Sequence, residues 1–399
     1  MKARDLTRIP LAGLLMSSAA SAMVLAGGAA LVGALTAVVL TGCEDAPAAN
    51  GSGGAGPGGS SAAAAGSGGS GQIGGEELLV DVSTGRVQVK LAPPSVVASG
   101  DDWDLAFEGL DVFTNSGPSG PGAGSGFGPL DPGVFEAGTD PGVPFTTPDR
   151  AGGAFLDWYL YEGAPAHVLW SRYHVHAVGK GERRWKVQLL GYYGNLDGEP
   201  VAGLYRLRYA ELTADGVGPT REIASIDATA GGVGGPATAP SACLDLASGT
   251  VTALAPTEAA TRTDWDLCMR RDVVTVNGEQ GGPGTTTAAD LDAALTAGEQ
   301  LAAIEARTAD SELAHFDAVT RASLDGVTLR GDHIVSVFGT SWLDRSGAVP
   351  GPATGSWLVV GPDSKRRALI TFARFDDASA TTPGTVHLHI KSIPGNPLT

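Results

Sequence analysis

Beyond residue 75 large apolar residues recur at every second position, and this period-two pattern predicts β-strands. In Trp103-Asp104-Leu105-Ala106-Phe107 the large apolar residues are expected on one face and Asp104 on the other. Trp265, Leu267 and Met269 repeat the arrangement, with Asp266 and Cys268 opposite. Trp185 to Leu189 and Leu204 to Tyr209 read as further alternating strands, separated by Gly, Asp and Asn turn clusters. One helix is expected from about Ala288 to Arg307, with Leu291, Leu295 and Ile304 on its apolar side and Gly298 weakening its middle. The expected fold class is therefore mainly β.

The strands recur as an internal repeat. Val80-Asp81-Val82-Ser83-Thr84-Gly85 matches Leu244-Asp245-Leu246-Ala247-Ser248-Gly249, and Asp102-Trp103-Asp104-Leu105 matches Asp264-Trp265-Asp266-Leu267. Asn115 pairs with Asn277, Pro121-Gly122 with Pro283-Gly284, and Val178-Gly179 to Arg184 with Val360-Gly361 to Arg366. Matches at both ends in the same order predict two tandem all-β domains, at 77–228 and 240–399. The Gly/Ala/Pro segment from Thr229 to Pro240 marks the expected boundary.

The N-terminus has a different pattern. Lys2, Arg4 and Arg8 precede an uncharged apolar run from Pro10 to Leu40, which reads as a signal peptide over 1–42. Leu40-Thr41-Gly42-Cys43 resembles the lipobox of bacterial lipoproteins. The resemblance implies cleavage before Cys43 and a diacylglycerol on its thiol. An uncleaved transmembrane helix is the competing reading, since the run is long enough to span a bilayer. Residues 43–76 form a Gly/Ala/Ser/Pro tether, too poor in apolar side chains to offset chain entropy, with a reach of ~30 Å. The chain is thus expected in the cell envelope, lipid-anchored to a bacterial membrane, the outer one, facing periplasm or exterior.

The net charge of -17 argues against nucleic acid and anionic lipid surfaces as partners. Of the three cysteines, Cys243 and Cys268 remain after Cys43 is assigned to lipid. In an oxidising compartment they are expected to form a disulfide. Asn115 to Gly126 lacks the Gly-Lys-Ser/Thr ending of a phosphate loop and reads as a long turn. Asp104 and Asp266, repeated beside a tryptophan, suit structural hydrogen bonding better than paired catalytic carboxylates. No nucleophile elbow, zinc-protease motif or cysteine–histidine constellation is present. An enzyme is not expected.

Trp103-Asp104-Leu105, Thr114-Asn115 and the loop from Ser116 to Gly126, followed by Trp158 to Tyr161, His167-Val168-Leu169, Tyr173 to Val178 and Trp185 to Gln188, resemble the HmuY haemophore-like family. The likeness covers most of 78–213 and, more loosely, 243–394. It implies an all-β lipoprotein that binds haem through two axial side chains. Imidazole is a suitable haem ligand, so His167, His174 and His176 are the candidates, with one of the last two expected to act with His167. The alternative for each is a solvent-facing strand histidine. Two uses follow. One is haem binding by the first domain. The other is a structural or protein-interaction role in the envelope without haem.

Overall fold

The computed structural model describes residues 74–98, 100–230 and 238–393. The signal peptide, Cys43 and nearly all of the tether lie outside the described residues, as does most of the expected domain boundary. The fold is mainly β, built from antiparallel sheets. Among the described residues no helix is long and apolar enough to cross a membrane.

The chain divides into two compact units that do not follow the expected cut. One is continuous, residues 152–333. The other is split, combining the described residues up to Ala151 with those from Ile334 onward. The expected domains 77–228 and 240–399 are each shared between both units.

In the continuous unit the main sheet runs Gly216–Val217, Glu199–Thr213, Arg183–Leu196, Val175–Lys180 and Thr287–Asp290. Val178 is the register partner of Ala288, so a strand of the second repeat closes a sheet of the first. The facing sheet comes wholly from the second repeat: Thr250–Leu254, Ser241–Asp245, Leu267–Arg270 and Val273–Val276. One core joins them, with Trp185, Val187 and Tyr205 on one side and Leu244, Leu267 and Met269 on the other.

The split unit is built the same way with the roles of the repeats reversed. Its main sheet runs Glu76–Asp81, Thr385–Ile393, Arg367–Asp376, Ser356–Val360 and Ser125–Leu130. Here Gly126 of the first repeat is the register partner of Val359 of the second. Its facing sheet, Pro94–Val97, Val87–Leu91, Leu105–Glu108 and Asp111–Thr114, comes wholly from the first repeat. Val89, Leu105 and Phe107 pack there with Trp357, Ile370 and Leu388.

The two repeats therefore exchange halves. The early half of each repeat completes the late half of the other, and the boundary expected from sequence falls inside the continuous unit. The charged contacts repeat the exchange. Lys180 Nζ lies 3.0 Å from Asp266 Oδ1, and Arg366 Nη2 lies 3.3 Å from Asp104 Oδ1. Each pair joins a late-half hairpin of one repeat to the Trp-Asp-Leu motif of the other.

Within each early half the repeated motif has one job. Asp104 Oδ2 accepts from the Leu91 amide at 2.8 Å, and Asp266 Oδ2 from the Leu246 amide at 2.8 Å. Asn115 Nδ2 donates to the Trp103 carbonyl while its Oδ1 accepts from the Gly122 amide. Asn277 does the same with the Trp265 carbonyl and the Gly284 amide. The Gly-rich loop is thus stapled over the tryptophan. A Cβ on Gly120 would lie 2.3 Å from Asn115 Oδ1, and one on Gly282 would lie 2.4 Å from Asn277 Oδ1. Only glycine fits at either place.

Two expectations are corrected by these strands. Trp103 and Trp265 do not share a face with the next apolar residues. Trp103 packs with Ala106 and Phe113, and Trp265 with Cys243, Cys268 and Leu254. The strands begin only at Leu105 and Leu267, so alternation does not extend back to the tryptophans. The helix expected over 288–307 is instead a strand, Thr287–Asp290, a 3-10 segment, Ala293–Gly298, and a short helix, Leu301–Glu305. Sheet pairing of Ala288 overrides its helix propensity, and Leu295 is left exposed.

The segments toward the end of the early halves lie against the main sheets and are fixed by lysines. Lys186, fully buried, donates to the carbonyls of Phe316 and Val319 at 2.7 and 2.9 Å. These lie at the C-terminal end of the helix Leu313–Ala318. Lys391 donates in the same way to Phe135 and Glu136, at the end of the helix Pro132–Ala137. A cation there meets unpaired carbonyls and the negative end of the helix dipole.

The exchange makes a direct prediction. A fragment of residues 152–333 contains both sheets of one core and should give a dispersed NMR spectrum and a cooperative thermal melt. A fragment of residues 77–228 lacks the sheet that covers Trp185, Val187 and Tyr205 and should give neither. A cooperative melt from the second fragment would refute the exchanged pairing.

Candidate functional site

The candidate ligands all lie in the continuous unit. His167 sits in the loop between the strands Tyr159–Tyr161 and Leu169–Ser171. It is half-buried, and its Nδ1 is hydrogen-bonded to the Tyr161 hydroxyl. His174 and His176 precede and enter the strand Val175–Lys180 on one face, as the alternation predicted. Neither faces solvent. Both are buried to within 2%.

His174 is held at both ring nitrogens. Nδ1 lies 2.8 Å from Asp290 Oδ2 and Nε2 lies 3.2 Å from Glu299 Oε2. Glu299 also binds Arg172 at 2.5 Å and Arg307 at 2.7 Å. Burial works against the charged imidazole. The hydrogen bond to Asp290 and the charges of Asp290 and Glu299 outweigh it, so the His174 pKa is raised. The cluster ties the first repeat, through Arg172 and His174, to the second, through Asp290, Glu299 and Arg307. Nearby, Asp292 Oδ2 accepts from the Val175 amide and pairs with His315 Nε2, both at 2.8 Å.

His176 is different. It stacks on Phe155 with ring centroids 4.2 Å apart, and neither nitrogen has a hydrogen-bond partner. Burial pushes its pKa down to about 4. It is a neutral core residue, facing inward with its register partner Val187. In the second histidine pair His387 is also structural. His387 bridges Glu77 and Asp376, each at 2.7 Å, and fastens Glu76–Asp81 to its neighbours.

The structure therefore brings His174 and His176 together but offers neither to a ligand. Haem iron needs a free imidazole nitrogen with space beside it. His174 has no free nitrogen and His176 has no opening to solvent. Of the three candidates, only His167 keeps a nitrogen outside an ion pair or the core. Among the described residues no group of three or more His, Cys, Asp or Glu is arranged to hold a metal ion.

Cys243 and Cys268 are register partners on adjacent strands and are joined as a disulfide, as the sequence predicted. The bond lies in the facing sheet beside Trp265.

Two buried carboxylates escaped the sequence reading. Asp149 Oδ2 accepts from the Thr114 amide at 2.9 Å, and Asp332 Oδ2 from the Val276 amide at 2.9 Å. Thr114 and Val276 each precede the repeated asparagine, so the two aspartates are equivalent. Desolvation raises Asp149 to about 6, and hydrogen bonds from Ser119 and Thr114 limit the rise. Desolvation also pushes Asp332 up to about 7, against the Val276 hydrogen bond and with the charge of Glu279 adding to it. Raised carboxylates often mark active sites. Here both sit at matching places in the repeat and fasten the chain that leads into the stapled loop. A signal was present in the sequence: each is an aspartate followed by a basic residue, Asp149-Arg150 and Asp332-His333. It was too short to stand out.

Set against known protein families and against curated proteins, the chain gives no match.

Two pH effects follow. The folded-state pKa of Asp332 lies above its unfolded value, so its contribution to stability is full at low pH and lost as pH rises from about 4 to about 7. Asp332→Asn keeps an acceptor for the Val276 amide and cannot ionise. Urea unfolding of the full chain should show the variant gaining roughly 4 kcal/mol on wild type across that window. An unchanged difference would refute the assignment. His176 has the opposite sign, because its folded pKa lies below its unfolded one. Its contribution is lost as pH falls from 6.5 to about 4. His176→Phe should remove a loss of roughly 3 kcal/mol from the acid limb, read in the same unfolding series.

Proposed function

We propose that the folded part is a protein-interaction or structural module of the bacterial cell envelope, tethered by lipid on Cys43, and not a haem carrier. The observation that carries this reading is the use of the histidines. His174 spends both ring nitrogens on Asp290 and Glu299, and His176 is closed inside the core. The resemblance to haemophore-like lipoproteins supports the mainly β fold, the export signal and the tether. Of the residues it would use for haem, His174 is committed to holding the two repeats together and His176 to the core, which leaves His167 alone.

Location supports the same reading. The Gly/Ala/Ser tether would keep the folded part ~30 Å from the bilayer, within reach of other envelope proteins. The acidic surface suits soluble and protein partners better than lipid head groups.

Hemin titration of residues 44–399 at micromolar protein tests the proposal. A flat Soret region is expected, together with recovery of one protein partner by cross-linking in cells. A saturable Soret shift abolished by His167→Ala would overturn it in favour of haem binding.

A further inference from the structure

We propose that a cavity in the continuous unit captures the C-terminal carboxylate of a partner polypeptide whose last residue is aliphatic. The inference rests on the interaction-module reading and names the chemistry of the partner. The cavity measures about 370 Å³, within the few-hundred range of small-ligand pockets. It is lined by Arg184, Thr287, Arg321, Leu324, Val327 and Leu329, with the exposed Asp325.

Two arginines line this cavity. The chain has 43 acidic and 26 basic residues. Arg172, Arg183, Arg206, Arg307, Arg366 and Arg367 each face a carboxylate at salt-bridge distance. Among the described residues Arg184 and Arg321 have no carboxylate at that distance, which is also true of Arg150, Arg208, Arg221, Arg330 and Arg345, but these two line the same cavity. Arg184 Nη1 donates to the carbonyls of Gly181 and Arg183 at 2.6 and 2.8 Å. Arg321 Nη1 reaches the carbonyls of Glu182 and Leu212 at 3.4 Å. Backbone carbonyls orient a guanidinium without neutralising it. Two oriented cations with no salt-bridge partner line one cavity against a single carboxylate, Asp325, and together suit an anion.

The lining is also built in place. A Cβ on Gly179 would lie 2.9 Å from Leu329 Cδ1 and 3.1 Å from Arg184 Cδ, so both side chains lie against the bare backbone of the strand. The planar fork of arginine matches a carboxylate. Leu324, Val327 and Leu329, all half-buried, supply an apolar wall for an aliphatic side chain. Thr287 adds a hydroxyl near the Gly179 carbonyl. Asp325 disfavours an acidic penultimate residue. Capture of a terminal carboxylate is an established mode of peptide recognition.

Fluorescence anisotropy with residues 44–399 tests the site, using dye-labelled Gly-Lys-Leu as the free acid and as the C-terminal amide. The acid should bind about tenfold or more tightly than the amide. Arg184→Gln and Arg321→Gln should each lose about tenfold at an unchanged melting temperature, and Arg321→Lys should retain part of the affinity. Unlabelled isovalerate should displace the labelled acid from the wild-type protein, a readout that does not depend on any variant folding. Equal affinity for acid and amide, no saturable binding up to about 1 mM, or no displacement by isovalerate overturns the proposal. A partner recovered by cross-linking together with any of those results sinks this pocket and leaves the interaction reading intact. Failure to recover a partner counts against the interaction reading itself.

Discussion

Two short stretches of backbone pairing decide the architecture: Val175–Lys180 against Thr287–Asp290, and Ser356–Val360 against Ser125–Leu130. In each, the early half of one repeat supplies the strand that the late half of the other needs. Once these pairings are made, the facing sheets must follow, because they are attached through the stapled loops. The consequence is a change of order along the chain. The continuous unit carries a late half followed by an early half, a circularly permuted arrangement. The split unit keeps the original order and has the continuous unit inserted in its sequence.

Chain entropy raises no obstacle to this exchange. Val178 and Ala288 are 110 positions apart, taken as 288 minus 178. Glu77 and His387, which join the first and last strands of the split unit, are 310 apart. Closure cost grows only as the logarithm of loop length, so the longer closure costs about 0.9 kcal/mol more. Side-chain burial on the scale of Trp185 or Trp357 outweighs that difference. The charged pairs Lys180–Asp266 and Arg366–Asp104 then select partners, since each aspartate sits in an early half and each cation in the late half of the other repeat.

What the sequence made legible was local. Alternation located the strands, turn residues separated them, and the two cysteines left after Cys43 pointed to a disulfide. The repeat was visible from the Trp-Asp-Leu motif onward, but its opening match was misplaced: Leu244 and Leu246 stand to Asp266 as Val89 and Leu91, not Val80 and Val82, stand to Asp104. The partner of each half was not visible, because the repeats are similar enough that either pairing satisfies the same alternation. Long-range choice lies in a few residues, such as Lys180 and Arg366, whose meaning appears only once their partners are placed. The tryptophan faces were misread because periodicity was carried across two positions that are not strand. The 288–307 helix was misread because alanine favours a helix only where no sheet edge competes for its backbone.

The histidines show how a site-like pattern arises from structural need. Two histidines two positions apart share a strand face in each repeat, and on sequence alone either pair resembles a ligand set. Both belong to sheets whose neighbouring strands come from distant parts of the chain. His174 meets Asp290 and Glu299, while His387 meets Glu77 and Asp376. An imidazole can donate from both nitrogens when protonated, so one side chain joins two carboxylates carried on separate segments. That is what an exchanged fold requires at its seams. The chemistry that makes histidine a metal ligand is here spent between halves of the protein. A binding site is better sought where cations are left without carboxylates than where histidines gather.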